Sequence, residues 1–314
     1  MQRTLIHIGY HKTASSYLQH VIFPQLPVNL FNPDEYHLKL IGNENPEKAE
    51  LFRDWIAEEV NNTQNSNKKI TIISHEALSG HPHGYKKIQP FVIADNLAKV
   101  FPDSRILIVI RNQFDYIASL YAFRVAVKGE EYRSFDNFVK FAGTKGLFEH
   151  LEYHLLIEYY QSLFGKEKVL VLPMELLVRT PEKFIMKIMN FLEMPNLIPN
   201  IGTAVNVSTK ASLILGLWRP INFFVFHLIR AIMAVSGGKK QDFRSLTYRF
   251  HNLKQKITPW LVKIIKTSKK IDVRQISDYS ALFERFSISN ALLQKQIELD
   301  LSALGYPVKV DSTP

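Results

Sequence analysis

One lysine and three hydroxyl side chains lie together near the start of the chain, in the segment Lys12-Thr13-Ala14-Ser15-Ser16. A short apolar run that ends at Gly9 precedes them and predicts a buried strand, and apolar residues recur at helical spacing from 17 to 22. A strand, a tight turn and a helix N-terminus direct backbone N–H groups and the helix dipole at one point. With an ammonium beside them, they favour an anion site. The alternative is a helix capped by Thr13 or Ser15, with an incidental lysine.

A second cation stands at the end of another apolar run. Residues 105–110 predict a buried strand, Arg111 follows it directly, and Ser119 lies two turns further along the helical pattern that comes next. An arginine at the carboxyl end of a central strand is costly unless an anion or a carboxylate meets its guanidinium. Ligands of open α/β sheets bind at that edge. Arg111 therefore predicts either a second anion site or an ion pair with a structural carboxylate.

Two anion sites at the ends of two strands suggest one ligand with two separated phosphate-like groups, and the chain resembles a family that binds such a ligand. Residues 7–19, HIGYHKTASSYLQ, resemble the 5′-phosphosulfate loop of sulfotransferases that use 3′-phosphoadenosine 5′-phosphosulfate (PAPS). Residues 111–124, RNQFDYIASLYAFR, resemble the 3′-phosphate motif of the same family. Two further segments match in the family's order: 168–192 resembles its late strand and helix, and 279–307 resembles the C-terminal helix of bacterial members.

The resemblance implies that both motifs bind the donor. The implied donor-binding residues are Lys12, Thr13, Ala14, Ser15, Ser16, Tyr17, Arg111 and Ser119. Among them, Lys12 is implied to neutralise the bridging oxygen as the donor departs, and Arg111 and Ser119 to hold the 3′-phosphate. Many members carry glycine at the position of Ala14. Alanine fits there if the residue keeps a negative φ, but not if the turn requires a left-handed residue.

Transfer to a hydroxyl also requires a base for the acceptor proton, beside the transferred group. The predicted strand at residues 70–74 ends in His75 and Glu76. Family members that act on glycans use a glutamate and small-molecule members use a histidine. The resemblance therefore makes Glu76 the first candidate for the base, with His75 and His11 as alternatives. A glutamate that only orders its loop is the competing interpretation.

A P-loop kinase is the competing enzyme class, since it also places a phosphate loop after its first strand. Its motif requires Gly-x-x-x-x-Gly-Lys-Ser/Thr, whereas Gly9-Tyr10-His11-Lys12 is shorter and lacks the second glycine. Kinases also hold magnesium with an aspartate that closes another strand, and here the strands end in His75-Glu76 and Arg111. We therefore expect sulfuryl transfer without a metal, because a lysine and backbone donors can stabilise the leaving phosphate.

The charge balance suits anionic ligands. The 314 residues carry a formal net charge of +10 and include no cysteine, which favours an anionic donor and an anionic glycan or membrane surface and excludes disulfides and thiolate metal sites. Nucleic acid would give the same balance, but the sequence has no helix-turn-helix, zinc-finger or RNA-binding signature, so no nucleic-acid partner is expected. The first predicted strand starts close to residue 1, so no signal peptide or N-terminal anchor is expected. Eukaryotic Golgi members of the resembled family have such an anchor, so the resemblance implies a bacterial, cytoplasmic protein.

The predicted fold is a P-loop-like, doubly wound α/β sheet with parallel strands and helices on both faces, plus a mainly helical C-terminal insertion. Continuous apolar runs predict strands at residues 4–9, 70–74, 105–110 and 168–172. Helical patterns lie between them at about residues 47–61, 90–101, 113–127, 134–142, 147–164 and 181–193. We assign 1–205 to a donor-binding core, 206–275 to the insertion and 276–314 to a C-terminal helix that packs on the core.

The insertion is first apolar and then basic. Residues 211–235 are rich in Leu, Ile and Phe, but Arg219 and Arg230 argue against a spanning helix because a central arginine costs about 2.5–3.5 kcal/mol. Lysines and arginines crowd residues 239–270. Such a segment, from 211 to 270, can lie on an anionic membrane surface. The alternative, which we favour, is a helical hairpin that packs on the core or on a partner.

The sequence thus predicts a sulfotransferase that moves a sulfuryl group from PAPS to a hydroxyl of a glycan or glycolipid. The acceptor class rests on the resemblance and on the net charge. The alternatives are a P-loop kinase-like phosphotransferase and a member of the same fold that binds a nucleotide or polyanion without chemistry. Lys12 disfavours the second, because a pure binder has little need for a cation at the bridging oxygen. The sequence does not indicate the oligomeric state.

Overall fold

A five-stranded parallel sheet forms the centre of the protein. The computed structural model describes residues 3–62, 68–80, 89–126, 132, 134–202, 228 and 271–309. The strand order is β2-β3-β1-β4-β5, and every neighbouring pair is parallel. The strands are β1 (Arg3–Gly9), β2 (Val28–Phe31), β3 (Ile70–His75), β4 (Arg105–Ile110) and β5 (Val169–Pro173).

Helices connect the strands, as the alternating pattern predicts. After β1, α1 (Ser15–Tyr17) continues into a π-helical turn (Leu18–Ile22) and a 3-10 turn (Phe23–Gln25); we call residues 15–25 the loop helix. The other helices are α2 (Glu35–Ile41), α3 (Glu47–Asn62), α4 (Pro90–Val100), α5 (Gln113–Ala126), α6 (Phe135–Gly143), α7 (Leu147–His150), α8 (Tyr153–Phe164), α9 (Met174–Arg179), α10 (Pro181–Phe191) and α11 (Tyr279–Ile297).

Both faces of the sheet are covered, which confirms the predicted P-loop-like, doubly wound class. One face packs against the loop helix, α9 and α10. That buried cluster contains Leu5, Val28, Ile70, Ile72, Leu107, Val109 and Leu172 from the strands, and Leu18, Ile22, Phe23, Leu177, Phe184, Ile185, Ile188 and Met189 from the helices. The other face carries buried isoleucines such as Ile8 and Ile108 and contacts α8, which packs on α4. Each large apolar side chain buried in this way contributes about 1.5–3 kcal/mol.

Two features of the sheet region differ from the sequence pattern. The pattern does not predict β2, because four residues that include Asn29 give no clear period, and pairing with β3 rather than local preference forms this strand. The single helix predicted over 147–164 is instead α7 and α8. The chain turns between them at Leu151, whose N–H donates to the carbonyls of Leu147 and Phe148.

The helix α11 and the residues after it are joined to the end of β4 by buried polar contacts. Asn290 is completely buried, and its amide exchanges hydrogen bonds with the Gln113 amide at 2.7 and 3.1 Å. Asn290 Nδ2 also donates to the Pro307 carbonyl at 2.8 Å. These bonds satisfy the amides inside the protein. They also hold residues 290 and 307 beside the strand end that carries Arg111.

The chain divides into two compact units. The first comprises 1–113, 142–204 and 280–314 and contains the sheet; the second comprises 114–141 and 205–279. In the second unit, the Tyr121 ring packs against Phe135 and Phe138, with centroids 5.2 and 5.3 Å apart. The Ser277 N–H donates to Asp136 Oδ1 at 2.8 Å.

The predicted insertion falls almost entirely outside the described residues. Of positions 206–275, only 228 and 271–275 are described. The domain boundaries at 205/206 and 275/276 and the choice between a hairpin and a membrane-surface segment therefore stay predictions. In the ranges that are described, no helix combines the length and the apolar character needed to cross a membrane.

Candidate active site

The carboxyl ends of three neighbouring strands bring most of the predicted site residues to one edge of the sheet. β1 lies between β3 and β4, with Ile8 opposite His75 and Gly9 opposite Val109. The chain leaves β1 into the loop of residues 10–14, which we call the donor loop. Ser79 Oγ donates to the Gly9 carbonyl at 3.4 Å. This bond joins the 3-10 turn after β3, which begins at Glu76, to the start of the donor loop.

The donor loop takes a left-handed backbone at two residues that are not glycine. Lys12 and Ala14 both have φ of 66°. Between them, the buried Thr13 donates from Oγ1 to the Tyr10 carbonyl. A left-handed alanine costs about 1–2 kcal/mol. The expectation that an alanine fits this turn only with a negative φ is therefore wrong, because Ala14 follows the geometry that glycine favours.

The loop helix begins close to the end of β1, and polar groups at its start lack hydrogen-bond partners among the described residues. A Cβ on Gly9 would overlap Ser15 Oγ, so only glycine permits this approach. Ser15 is buried, and its hydroxyl has no hydrogen-bond partner among the described residues. Ala14, the N-cap, offers no side-chain acceptor to the first amides of the helix. Uncapped amides and an unpartnered hydroxyl are the donors that an anion at a helix start requires.

Ser16 and Tyr17 differ from Ser15 in their surroundings. Ser16 is exposed at the first turn of the loop helix. The Tyr17 hydroxyl donates to the Ile201 carbonyl at 2.6 Å. The structure thus gives the Tyr17 hydroxyl a partner in the segment after α10.

Arg111 is buried at the end of β4, with only 8% of the residue exposed. Its Nη1 donates to the Lys12 carbonyl at 3.0 Å, so the guanidinium touches the donor loop directly. Within the described part of the chain, no carboxylate forms an ion pair with Arg111. A buried charge is unfavourable unless it is paired or hydrogen-bonded, and within the described ranges the Lys12 carbonyl accepts from one of this guanidinium's five N–H donors. The geometry therefore favours the anion-site interpretation of Arg111 over the structural ion pair.

Glu175, at the start of α9, lies close enough to Arg111 for the guanidinium charge to affect its pKa, but it has other partners. Its Oε1 accepts from the Asn112 N–H at 2.9 Å, and its Oε2 accepts from the Tyr306 hydroxyl at 2.7 Å. Burial raises the pKa of Glu175, against the opposing effect of these hydrogen bonds and of the Arg111 charge. Glu175 therefore fixes the backbone next to Arg111 and connects it to the C-terminal residues.

Lys12 lies within the electric field of both Arg111 and Glu76. As a whole residue Lys12 is exposed. Desolvation of its ammonium nevertheless lowers its pKa from the ordinary value, and the Arg111 charge lowers it further, while the Glu76 carboxylate opposes both effects. One cation from β1, one from β4 and one carboxylate from the turn after β3 therefore meet at this edge.

The three candidates for the base are not equivalent. The nitrogen Nδ1 of His75 accepts a hydrogen bond from the Ala77 N–H at 3.0 Å, so the proton of the neutral ring is on Nε2. Burial lowers the pKa of His75, against the opposing charge of Glu76. Glu76 is half-buried as a residue and occupies the first position of the turn. His11 is half-buried within the donor loop.

The predicted role of Ser119 is not tested by the structure. Ser119 is half-buried on α5 and belongs to the second unit, so its place in a 3′-phosphate site with Arg111 stays a prediction. Over the described ranges, no group of three His, Asp or Glu side chains is arranged to hold a metal ion.

Sequence reasoning missed three polar residues that lie beneath the donor loop: His7, Ser74 and Gln19. They are buried and hydrogen-bonded to one another. The available signal was a histidine and a serine inside two apolar strand runs. Pairing of β1 with β3 places these two residues opposite each other.

Comparison with known proteins identifies the family of the chain. The sulfotransferase family model matches residues 11–198, more than half of the chain. The chain belongs to the sulfotransferase family, a class of enzymes that transfer sulfuryl groups. The predicted family and enzyme class are thereby confirmed.

Several solved structures are similar to the chain. A sulfotransferase from Alicyclobacillus acidocaldarius is 16% identical, with 78% of this chain and 99% of that chain covered and a TM-score of 0.47. The sulfotransferase STF9 from Mycobacterium avium is 11% identical, with coverages of 86% and 79% and a TM-score of 0.36. A mouse sulfotransferase, SULT7A1, complexed with PAP is 16% identical, with coverages of 64% and 61% and a TM-score of 0.38. No curated protein matches.

The left-handed backbone at Ala14 predicts that Ala14→Gly stabilises the protein. Glycine adopts this conformation without the steric penalty, so the free energy of unfolding should rise by about 1 kcal/mol. Urea denaturation measures the change. Ala57→Gly, at an exposed position of α3, is the matched control and should lower the free energy of unfolding by about 0.5–1 kcal/mol. A loss of stability in both variants would contradict the left-handed geometry.

Proposed function

We propose that the protein transfers a sulfuryl group from PAPS to a hydroxyl of a glycan or glycolipid. The donor loop holds the 5′-phosphosulfate, and Arg111, with Ser119 from α5, holds the 3′-phosphate. When bound, PAPS supplies the sulfuryl group: the bond from sulfur to the 5′-phosphate breaks, and a bond from sulfur to the acceptor oxygen forms.

The observation that carries the proposal is the buried guanidinium of Arg111. Its hydrogen bond to the Lys12 carbonyl uses one of its five N–H groups. A phosphate can accept from two more of these N–H groups at once, and a charge-assisted hydrogen bond of this kind contributes roughly 1.5–3 kcal/mol. A second anion-binding group is supplied on the neighbouring strand end. It consists of the amides after Ala14 and the Ser15 hydroxyl, which has no hydrogen-bond partner in the described part of the chain.

Lys12 is the residue that we assign to charge stabilisation. Its backbone carbonyl is held by Arg111, which fixes the root of the side chain. The ammonium stabilises negative charge that grows on the bridging oxygen as the sulfuryl group leaves. A cation in place before the reaction needs no reorganisation, which makes this kind of stabilisation effective.

Glu76 is the residue that we assign as base. The acceptor hydroxyl loses its proton to the Glu76 carboxylate while its oxygen attacks sulfur. His75 is a weaker candidate, because its Nδ1 already accepts from the Ala77 N–H and its Nε2 carries the ring proton. Glu76 also lies close enough to Lys12 for its charge to raise the lysine's pKa, so base and cation serve the same reacting group.

The acceptor class follows from charge and from the proposed base. A net charge of +10 favours an anionic acceptor such as a lipopolysaccharide, capsule or glycolipid sugar. The direct test incubates the protein with radiolabelled PAPS and a bacterial glycan extract, with small phenols and steroids as competing acceptors. Label in the glycan fraction supports the proposal. Label only in the small molecules overturns the proposed acceptor class. If no acceptor is labelled although the protein binds the nucleotide tightly, the protein is a non-catalytic binder.

The role of Lys12 predicts that Lys12→Ala loses turnover but keeps nucleotide binding. The value of kcat should fall by about 10²–10³, because the lost contact acts in the transition state. Initial-rate assays with labelled PAPS give kcat, and calorimetry gives the affinity for 3′,5′-adenosine bisphosphate (PAP). Lys183→Ala, at an exposed position of α10, should leave both unchanged. A Lys12→Ala protein that retains more than about a tenth of kcat contradicts the assignment.

The proposed 3′-phosphate site predicts that Arg111→Ala and Ser119→Ala weaken PAP binding. Arg111→Ala should raise the Kd roughly 10- to 150-fold, because its contact is charge-assisted, and Ser119→Ala should raise it less. Calorimetry with PAP and with 5′-AMP separates the two phosphates, since 5′-AMP binding should change little. Arg53→Ala on α3 is the exposed control. Equal affinity of the wild type for PAP and 5′-AMP would show that no 3′-phosphate site exists.

The role of Glu76 predicts that Glu76→Gln slows transfer by roughly 10²–10⁴ and leaves PAP affinity unchanged. Glutamine keeps the size and much of the hydrogen bonding but cannot take the proton. If Glu76 only orders its turn, kcat should stay high and the loss should appear in stability or in acceptor KM. His75→Ala and His11→Ala are measured in parallel. A near-normal Glu76→Gln beside an inactive histidine variant would move the base to that histidine and weaken the glycan assignment.

A further inference from the structure

A carboxylate joins the end of β4 to the C-terminal part of the chain. Glu175 accepts from the Asn112 N–H at 2.9 Å through Oε1 and from the Tyr306 hydroxyl at 2.7 Å through Oε2. Asn112 directly follows Arg111, and its Nδ2 donates to the Gly305 carbonyl at 2.6 Å. Each oxygen of the carboxylate thus has a donor, which is the pattern of an ionised carboxyl group. The residue after Arg111 is therefore held through both its backbone and its side chain.

The Tyr306 hydroxyl is the donor in its bond to Glu175. Tyr306 is only 4% exposed. Burial raises the pKa of Tyr306 well above its ordinary value, and the Glu175 charge raises it further. The hydroxyl therefore keeps its proton and donates it to the carboxylate in a place that water scarcely reaches, where a hydrogen bond is stronger than at the surface.

The same peptide group is held from a second helix, α8. The Tyr153 hydroxyl donates to the Arg111 carbonyl at 2.8 Å, and Tyr153 is completely buried. The Arg111 carbonyl and the Asn112 N–H belong to one planar peptide group. Tyr153 thus binds its oxygen and Glu175 binds its N–H, so side chains from α8 and α9 hold both polar atoms of this group.

We infer that Glu175 is a positioning residue for the 3′-phosphate site: by binding the Asn112 N–H it fixes the peptide group that follows Arg111, and so places the guanidinium for the donor's 3′-phosphate. Tyr306 supports this role by binding the second oxygen of the carboxylate. The inference rests on the proposed function, in that the anion at Arg111 is the 3′-phosphate. It makes the C-terminal residue Tyr306 a contributor to the preference for a 3′-phosphorylated nucleotide.

The physical reason is the length of the arginine side chain. Its rotatable bonds leave the guanidinium poorly placed unless the backbone that carries it is fixed, and fixing it beforehand removes that entropy cost from ligand binding. At the other end of the side chain, Nη1 donates to the Lys12 carbonyl at 3.0 Å. The side chain of Arg111 is thus restrained at its backbone and at one terminal nitrogen before the donor binds.

The charge of Glu175 also acts on Arg111 without an ion pair. Burial raises the pKa of Glu175, and the Arg111 charge is among the effects that oppose this rise. The two groups therefore stabilise each other's charges. Because the carboxylate oxygens bind Asn112 and Tyr306, this attraction does not require an N–H group of the guanidinium.

Substitutions of Glu175 separate its hydrogen bonds from its charge. Glu175→Ala removes both hydrogen bonds and should raise the PAP Kd about 3- to 10-fold, while the Kd for 5′-AMP should change less than about twofold. Glu175→Gln keeps an acceptor for the Asn112 N–H and an amide that can donate to the Tyr306 oxygen, so its PAP Kd should stay within about twofold of the wild-type value. Calorimetry with both nucleotides measures these changes. A Glu175→Gln protein as weak as Glu175→Ala would assign the effect to charge and would overturn the inference.

Tyr306→Phe tests the support for the carboxylate with little change of shape. It removes one hydroxyl and should raise the PAP Kd about 2- to 5-fold, again with little effect on 5′-AMP. In the Glu175→Ala background the same substitution should change the PAP Kd less than about twofold, because the carboxylate that it supports is gone. A Tyr306→Phe protein with the wild-type ratio of the two Kd values would contradict the role of Tyr306.

Asn96→Ala is the matched control for a general loss of stability. Asn96 is buried in α4, and its Nδ2 donates to the carbonyls of Ile41 and Asn43, each at 2.8 Å. Like Glu175→Ala, this variant loses two hydrogen bonds, so urea denaturation should show a lower free energy of unfolding. Its ratio of PAP to 5′-AMP affinity should equal that of the wild type. A fall in this ratio as large as in Glu175→Ala would overturn the inference.

A double-mutant cycle with Arg111→Ala tests whether Glu175 acts through the guanidinium. In the Arg111→Ala background, Glu175→Ala should weaken PAP binding by less than about twofold, because the group that it positions is gone. Equal losses in both backgrounds would show that Glu175 does not act through Arg111, and would overturn the inference. Where Glu175→Ala does not fold, Tyr306→Phe takes its place in the cycle.

The outcomes distinguish this inference from the proposed function. Equal affinity of the wild type for PAP and 5′-AMP removes the 3′-phosphate site and the inference together. A wild type that prefers PAP, beside a Glu175→Ala protein with the same preference, keeps the proposed function and overturns the inference. A preference that falls in Glu175→Ala, returns in Glu175→Gln and depends on Arg111 supports the inference.

Discussion

A buried guanidinium at the carboxyl end of β4 sets the conditions for the rest of the site. Arg111 has little contact with water, donates to the Lys12 carbonyl, and forms no ion pair with a carboxylate in the described ranges. The Tyr153 hydroxyl donates to the Arg111 carbonyl at 2.8 Å and so holds its backbone in place. A charge kept in this state favours an anion beside it. The donor loop supplies a carbonyl to this guanidinium, so Arg111 joins the chain that follows β1 to the end of β4.

The order of the strands brings charged residues that are far apart in the sequence to one edge of the sheet. Lys12 follows β1, Arg111 follows β4 and Glu76 follows β3, and these are neighbouring strands in a parallel sheet. Parallel strands end at the same edge, so the three side chains meet there. The effects of Arg111 and Glu76 on the pKa of Lys12 have opposite signs. The proposed chemistry uses the same order, with donor binding on one side of Lys12 and proton removal on the other.

Contacts on two sides of the donor loop hold its strained, left-handed backbone in place. From outside, the Tyr17 and Leu18 amides bind the carbonyl of the left-handed Ala14 at 3.0 and 3.1 Å. From beneath, Gly9 allows Ser15 to approach β1. In the buried layer beside it, the His7 ring and the Ser74 hydroxyl are hydrogen-bonded to each other. Strained backbone of this kind persists where contacts with the surrounding residues hold it in place. The loop helix supplies that packing through Leu18, Ile22 and Phe23.

The sequence by itself determined the four strand runs, the family, and the candidates Lys12, Arg111 and Glu76, because these depend on local composition and on motifs in order. It did not determine β2, whose four residues become a strand by pairing with β3. It also did not determine the left-handed Ala14 or the buried hydrogen bond between His7 and Ser74. Those depend on contacts between residues far apart in the chain: His7 with Ser74 across two strands, and Arg111 with the backbone of Lys12. Only the tertiary structure brings such partners together, because no local preference encodes a contact across a sheet.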